Sequence, residues 1–276
     1  MKTTDTTLDA EAVERVPRSG LCALAVMTKA PRAGAVKTRL VPPLKPEEAA
    51  ALSVCFLRDT TENIARVVRD GGNARGVAVY TPLGAEAAYE GLLPRGFAML
   101  AQRGEGFGER LFHAVEDLLA VGFASLCLID SDSPTLPHAT LARAVAALAR
   151  PGDRTVLGPS DDGGYYLVGL KGAHRRLFED IEWSTDRVFT QTVERAAEIN
   201  LDVETLPAWY DVDDAVTLQR LHAELFPPPP QTDVDGSASD GYDAPHTRRY
   251  LARLIDGEAR VRVLGSDERA TRGEAT

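Results

Sequence analysis

The chain has 276 residues, 44% of them hydrophobic, with a net charge of −10 and a pI of about 5.1. That length suits one large domain, or one domain with an appendage. The acidic balance argues against general nucleic-acid binding and leaves room only for a local basic loop. Cys22, Cys55 and Cys127 lie in apolar segments with no CxxC pair, as small buried hydrophobes of a reducing compartment do. The first 20 residues lack an apolar core, and no run approaches membrane-spanning length. A cytoplasmic protein with no signal peptide and no membrane partner is expected.

Residues 1–20 read as a mobile leader, and 21–27 (LCALAVM) as the first buried strand. The loop that follows carries four cations, Lys29, Arg32, Lys37 and Arg39, with Pro31 and Gly34 for tight turns. Concentrated positive charge in an acidic protein points to phosphate, held by backbone N–H groups and Lys/Arg side chains. GxxxxGK[ST] is absent, so this is not a Walker P-loop. A solvated basic loop is the plain alternative. A helix over 47–69 follows, then a strand over 76–80, a short helix over 86–92 and a strand near 97–101. Gln102 to Leu111 opens the next helix, which runs to about 121. Its glycines allow close backbone approach to a ligand, and Gln102 joins the nucleotide-binding candidates. An ordinary strand-to-helix loop accounts for the same residues.

The apolar run 126–129 stops abruptly in Asp130-Ser131-Asp132-Ser133-Pro134. A short apolar run bounded by turn residues reads as a fully buried strand of a parallel sheet. Ligands in open α/β sheets sit outside the carboxyl ends of such strands. Hard oxygen ligands one residue apart at a strand end suit Mg²⁺ or Mn²⁺, which commonly arrives with a phosphate. Asp and Ser also favour plain turns.

A helix over 137–149 comes next. Strands over 155–157 and 165–170 flank Gly158 to Gly164, where Asp161 and Asp162 precede Gly163 and Gly164. That stretch reads as a tight site loop beside an acceptor, or as a simple Asp-Gly hairpin. A helix over 186–199 is capped by Ser184 or Thr185. A strand over 201–206 leads to Asp211-Val212-Asp213-Asp214 and a helix over 215–225. Asp214 serves the helix dipole. Asp211 and Asp213 alternate along an extended segment with Val212 turned the other way. Residues 227–244 read as a disordered linker, and 245–276 as a C-terminal helix (245–255) and tail. There is no internal repeat.

Strands and helices alternate throughout residues 21–226, so the fold class is α/β, three-layered with a mainly parallel sheet. The basic loop, Asp130/Asp132, Asp161 to Gly164 and Asp211/Asp213 all fall at strand ends. Together they describe a metal-assisted transferase acting on a nucleotide.

Lys29-Ala30-Pro31 through Lys37-Thr38-Arg39-Leu40, Asp130 to Pro134, Gly158 to Gly164 and Asp211-Val212-Asp213 resemble the GT-A-fold nucleotide-diphospho-sugar transferase-like family. More narrowly, they resemble its radical-SAM/selenodomain-associated transferase 1 group, formerly a domain of unknown function and often labelled glycosyltransferase. The same loops are similar to guanylyltransferases of the molybdenum-cofactor and phospholactate type. The resemblance implies a Rossmann-like three-layer α/β/α GT-A fold with a mainly parallel mixed sheet. It implies metal ligation by Asp132 and Asp213, with Asp130 completing a DxD, and phosphate binding by Lys37 and Arg39. It places Asp162, Gly163 and Gly164 beside the acceptor, where the glycines remove steric bulk, with Asp162 the candidate general base and both glycines among the nucleotide-binding candidates. The implied partners are a nucleotide or nucleotide-sugar and a small acceptor, with Mg²⁺ or Mn²⁺ as cofactor and a monomer or homodimer as the assembly. Three functions remain open: glycosyl transfer, nucleotidyl transfer and silent nucleotide binding.

Overall fold

The computed structural model describes residues 6–7, 20–227, 241–257 and 260–264. The strands are β1 (Thr6–Thr7), β2 (Cys22–Lys29), β3 (Ala74–Thr81), β4 (Ala98–Ala101), β5 (Ser125–Ile129), β6 (Arg154–Pro159), β7 (Tyr165–Leu170) and β8 (Asp202–Thr205). The helices are α1 (Pro46–Arg69), α2 (Phe107–Ala120), α3 (His138–Ala149), α4 (Val188–Glu198), α5 (Ala215–Leu225), α6 (Pro245–Ile255) and α7 (Arg260–Leu264). One sheet runs in the order β1-β4-β3-β2-β5-β7-β6-β8. Only β7 is antiparallel to its neighbours, β5 and β6, so the sheet is mixed but mainly parallel, as expected.

Side-chain alternation builds the three layers. In β2, Cys22, Leu24 and Val26 belong to the cluster with Leu57, Ile64, Leu141 and Leu148 of α1 and α3. Ala23 and Ala25 join the opposite cluster, with Leu111, Val115 and Leu118 of α2 and Ala196 of α4. Both faces are covered, which is why the strands read as continuous apolar runs.

A third cluster caps one end of the sheet. It joins Leu40 and Leu44 after β2, Leu52 and Phe56 of α1, Val212 before α5, Leu218 and Leu221 within it, and Leu251 of α6. Leu40 and Val212 are fully buried, each contributing roughly 1.5–3 kcal/mol. They tie the first loop and the Asp211–Asp213 segment, far apart in sequence, to one apolar floor. The C-terminal helix docks as its apolar face implies. Asp59 of α1 also accepts the His246 and Thr247 N–H groups at its first turn (3.0 and 2.8 Å).

Several local expectations need correction. The short helix expected over 86–92 is a 3₁₀ turn, Glu86–Tyr89. Helix α4 begins at Val188, and Arg187 rather than Ser184 or Thr185 occupies its N-cap without a side-chain cap. Ser184 instead turns through a left-handed backbone (φ 65°) ahead of it. Of the leader, only Thr6–Thr7 and Gly20 are described, and Thr6–Thr7 pair with Ala98–Met99 of β4. Most of the 227–244 linker and the tail from 265 lie outside the described residues. No described helix is long and apolar enough to cross a membrane.

After β2 the chain builds outward through β3 and β4, then returns to place β5 on the other side of β2. The carboxyl ends of β2 and β5 therefore flank a point of topological reversal, where open α/β sheets bind ligands.

Candidate functional site

Two short acidic segments meet at that point. Asp130-Ser131-Asp132 leaves the end of β5, and Asp211-Val212-Asp213 approaches α5. They lie side by side, with the Val212 N–H donating to the Asp132 carbonyl at 2.9 Å. Val212 is buried below, so its neighbours Asp211 and Asp213 project the other way. Asp214 caps α5, accepting the Thr217 N–H at 2.8 Å.

The first loop closes over both segments. Lys37 adopts a left-handed backbone (φ 48°, ψ 40°) before the 3₁₀ turn Thr38–Leu40, a conformation that costs a non-glycine residue of order 1–2 kcal/mol. Its ammonium reaches Asp132 Oδ1 at 2.8 Å, Asp213 Oδ1 at 2.9 Å and the Val212 carbonyl at 2.7 Å. The side chain is only 5% exposed, and the ammonium lies 5.4 Å from the centre of the Phe56 ring. Arg39, largely exposed, pairs with Asp213 through Oδ2.

These charges set the protonation states. Burial pulls the Lys37 ammonium down, and Asp132 and Asp213 more than reverse this, leaving it above the ordinary lysine value. Burial raises the Asp213 carboxyl, but Lys37 and Arg39 outweigh it and hold the group below the usual range. Asp130 and Asp211 behave oppositely. Burial and the nearby Asp132 charge push Asp130 well above the ordinary carboxylate value. Burial with Asp162 and Asp213 nearby raises Asp211. Each accepts a serine hydroxyl, Ser133 on Asp130 at 2.9 Å and Ser160 on Asp211 at 3.0 Å. Asp130 also accepts the Asp132 N–H at 3.3 Å.

The arrangement thus brings Lys37, Arg39, Asp132 and Asp213 together and leaves Asp130 tied back within its own turn. A cavity of about 250 Å³ opens above, lined by Lys29, Thr38, Ser53 and Ser131 as well as these four. Two carboxylates converging on one cation suit Mg²⁺ or Mn²⁺, which commonly take one or two carboxylates and complete their shell with water and phosphate. Among the described residues no cluster of three or more His, Cys, Asp or Glu forms an all-protein cage. Asp132 and Asp213 are the carboxylates that could hold such an ion, with the rest of its shell left to a ligand and water.

The β6–β7 turn lies beside the segment that carries Asp211, joined to it through Ser160. Asp162 is exposed, and its Oδ1 accepts the Gly164 N–H at 2.9 Å. Asp161 pairs with Arg220 at 2.5 Å, and Arg220 in turn stacks 3.8 Å from the Tyr210 ring centre. Gly163 has φ 89°, and a Cβ there would collide with the Asp186 backbone. Its lack of a side chain thus admits the segment leading to α4, whose Phe189 N–H donates to the Gly163 carbonyl at 2.8 Å. Gln102 stitches strand ends, its Nε2 donating to the carbonyls of Val79 (2.8 Å) and Thr28 (3.3 Å). Trp183 packs edge-on against Phe107, ring centres 5.1 Å apart.

Sequence reading overlooked Ser53, Phe56, Ser133 and Ser160 as parts of the site. Ser133, three residues after Asp130, carries a local signal, since a hydroxyl at that spacing closes an Asp turn. Ser160 and Asp211 are 51 residues apart, and only the fold reveals that pair.

Residues 64–185 match the family DUF2064, described as an uncharacterized protein conserved in bacteria. The matched span includes Gln102, Asp130, Asp132 and Asp162 to Gly164, and stops short of Lys37 and Asp213. No curated protein matches the chain. A crystal structure from Desulfovibrio desulfuricans G20, of a protein provisionally described as a nucleotide-diphospho-sugar transferase, is 28% identical. It covers 86% of this chain and 96% of its own, with a TM-score of 0.70. The 4-diphosphocytidyl-2C-methyl-D-erythritol synthase of Anaerococcus prevotii is 12% identical over 85% of this chain and 100% of its own, TM-score 0.46. The inositol-1-phosphate CTP transferase of T. maritima is 13% identical over 87% and 98%, TM-score 0.45. The chain has the three-layer α/β/α Rossmann-like fold of the Desulfovibrio protein.

Proposed function

We propose that this protein is a nucleotide-dependent transferase that uses a nucleotide-diphospho-sugar donor and a small-molecule acceptor. The reading rests on one observation above all. Lys37 draws Asp132 and Asp213 together at the switch point of the sheet, beneath a cavity that also holds Lys29 and Arg39. Phosphate fits the cations, and a divalent ion fits the carboxylates. The likeness to the Desulfovibrio protein supports the same donor class, and the motif resemblance supports a place in the radical-SAM-associated group. The protein is read as cytoplasmic, monomeric or homodimeric.

Asp132 and Asp213 would hold Mg²⁺ or Mn²⁺, which when bound would supply Lewis-acid stabilisation of the departing phosphate. Arg39 and Lys29 orient and neutralise that phosphate from the cavity wall. Asp162, exposed on the turn opposite, is the candidate base. Its carboxylate takes the acceptor hydroxyl proton as that oxygen bonds the anomeric carbon and the bond to the phosphate oxygen breaks. Gly163 admits the Asp186 backbone that braces this turn, Gly164 follows it beside the acceptor, and Gln102 fixes the strand ends on the nucleotide side.

A second reading, nucleotidyl transfer from an NTP with release of pyrophosphate, is favoured by the cavity's surplus of cations. Three cations, Lys29, Lys37 and Arg39, line it against two carboxylates, and the net positive balance suits a triphosphate even with Lys37 turned to the carboxylates. The two readings separate in a thermal-shift panel of NTPs, NDPs and NDP-sugars, with and without Mg²⁺ or Mn²⁺. Binding to the native state raises Tm by mass action. The largest shift is expected from one NDP-sugar or its NDP. A single NTP ranking first supports nucleotidyl transfer. No shift with any nucleotide refutes both and leaves a protein without this activity.

A further inference from the structure

Lys37 has a property that a phosphate ligand does not need. A lysine ammonium has three N–H donors, and here all three are engaged, by Asp132, Asp213 and the Val212 carbonyl. None is left for an anion in the cavity. The ammonium occupies one oxygen of each carboxylate, Oδ1 of Asp132 and Oδ1 of Asp213, and Arg39 takes Oδ2 of Asp213. The side chain is almost wholly buried, held by a left-handed backbone and set over the Phe56 ring. It is therefore built into this position.

We infer that Lys37 is an internal cation that holds the Asp132–Asp213 pair together and competes with the divalent ion for it. When the ion binds, Lys37 is displaced from at least one carboxylate, and its freed donor passes to the phosphate of the incoming nucleotide. This orders assembly of the site, cation first and phosphate grip second. It also keeps two close carboxylates from repelling each other in the interval. The inference rests on the metal assignment proposed above and deepens it.

The charge balance makes the competition asymmetric. A divalent ion entering beside Lys37 meets two carboxylates already balanced by Lys37 and Arg39, with Lys29 a further cation on the cavity wall. Metal affinity without nucleotide should therefore be weak in the natural protein. It should rise when Lys37 loses its charge.

Two measurements test this, neither depending on activity. Free Mn²⁺ is followed by electron paramagnetic resonance in the full chain and in Lys37→Met, with no nucleotide present. Lys37→Met is expected to bind Mn²⁺ about fivefold to tenfold tighter, as removal of one like charge at this range implies. Unchanged or weaker binding, or none in either protein, overturns the inference. The second measurement needs no variant. Reductive methylation with formaldehyde, read at Lys37 by peptide mass spectrometry, is run with and without saturating Mg²⁺. Lys37 should be protected alone and become reactive with Mg²⁺, while exposed Lys29 reports the general rate. Protection that persists at metal saturation overturns the displacement step even if Lys37→Met fails to fold. Nucleotide binding in the thermal-shift panel tells the two levels apart. If nucleotides bind and Mn²⁺ affinity ignores Lys37, the competition is wrong and the nucleotide reading stands.

Discussion

Asp130-Ser131-Asp132 and Asp211-Val212-Asp213 are two copies of one sequence pattern with the same division of labour. In each, the second carboxylate turns to Lys37. In each, the first is held back by a serine hydroxyl and carries a raised pKa. The cause is an unequal supply of partners: cations reach Asp132 and Asp213, and serine hydroxyls reach Asp130 and Asp211. They differ in their tether. Ser133 belongs to the same turn as Asp130, whereas Ser160 reaches Asp211 from the β6–β7 loop. The first pair is thus set locally, and the second is set by the packing of three distant segments. An Asp-x-Asp pattern identifies a pair; the fold decides which member is presented.

The largest expected effect separates the members of each pair. Asp132→Asn and Asp213→Asn should each weaken Mn²⁺-dependent nucleotide binding by more than about 100-fold, beyond the usual cost of losing an outer-shell partner. Asp130→Asn should leave it within about fivefold. Calorimetry of all three breaks the comparison if Asp130→Asn proves as damaging as Asp132→Asn. Arg39→Ala should come next, lowering nucleotide affinity about 10-fold to 100-fold, the range for a charge-assisted hydrogen bond. An unchanged affinity would show that Arg39 serves Asp213 alone.

Smaller effects fall on the tethers. Ser133→Ala and Ser160→Ala should each cost about 1–2 kcal/mol in urea unfolding by stripping a partner from a half-buried carboxylate. If Ser160→Ala costs nothing, the long-range tether is incidental. The smallest effect is in the pH dependence, and its sign differs between members. Asp213 is depressed from its ordinary value of 3.8, so its stabilisation is present above that pH and is lost as pH falls through the lower folded value. Asp211 is raised, so stability improves as pH falls through its folded value toward the ordinary one. Thermal melts against pH should therefore show a flatter acid decline for Asp213→Asn and a smaller mid-acid gain for Asp211→Asn.

Legibility in the sequence followed the range of the interactions. Buried parallel strands announced themselves as apolar runs, because both faces are covered. Val212 betrayed the alternation of its neighbours, and Asp214 betrayed its cap. Lys37 was legible as a cation near phosphate chemistry. Its embrace of two carboxylates was not, because Leu40 and Val212 bring those segments together only through the third apolar cluster. Gly163 looked like space for a ligand because a sequence shows an absent side chain but not what fills the gap. Here the backbone at Asp186 fills it.

The most direct test of the account is a crystal soaked with Mn²⁺ and the nucleotide ranked first by thermal shift, examined for anomalous scattering. The account predicts one strong peak at bonding distance from Asp132 and Asp213, with the nucleotide phosphates completing its shell and Lys37 turned toward them. A peak held by Asp130, or ordered nucleotide with no peak between Asp132 and Asp213, would contradict it.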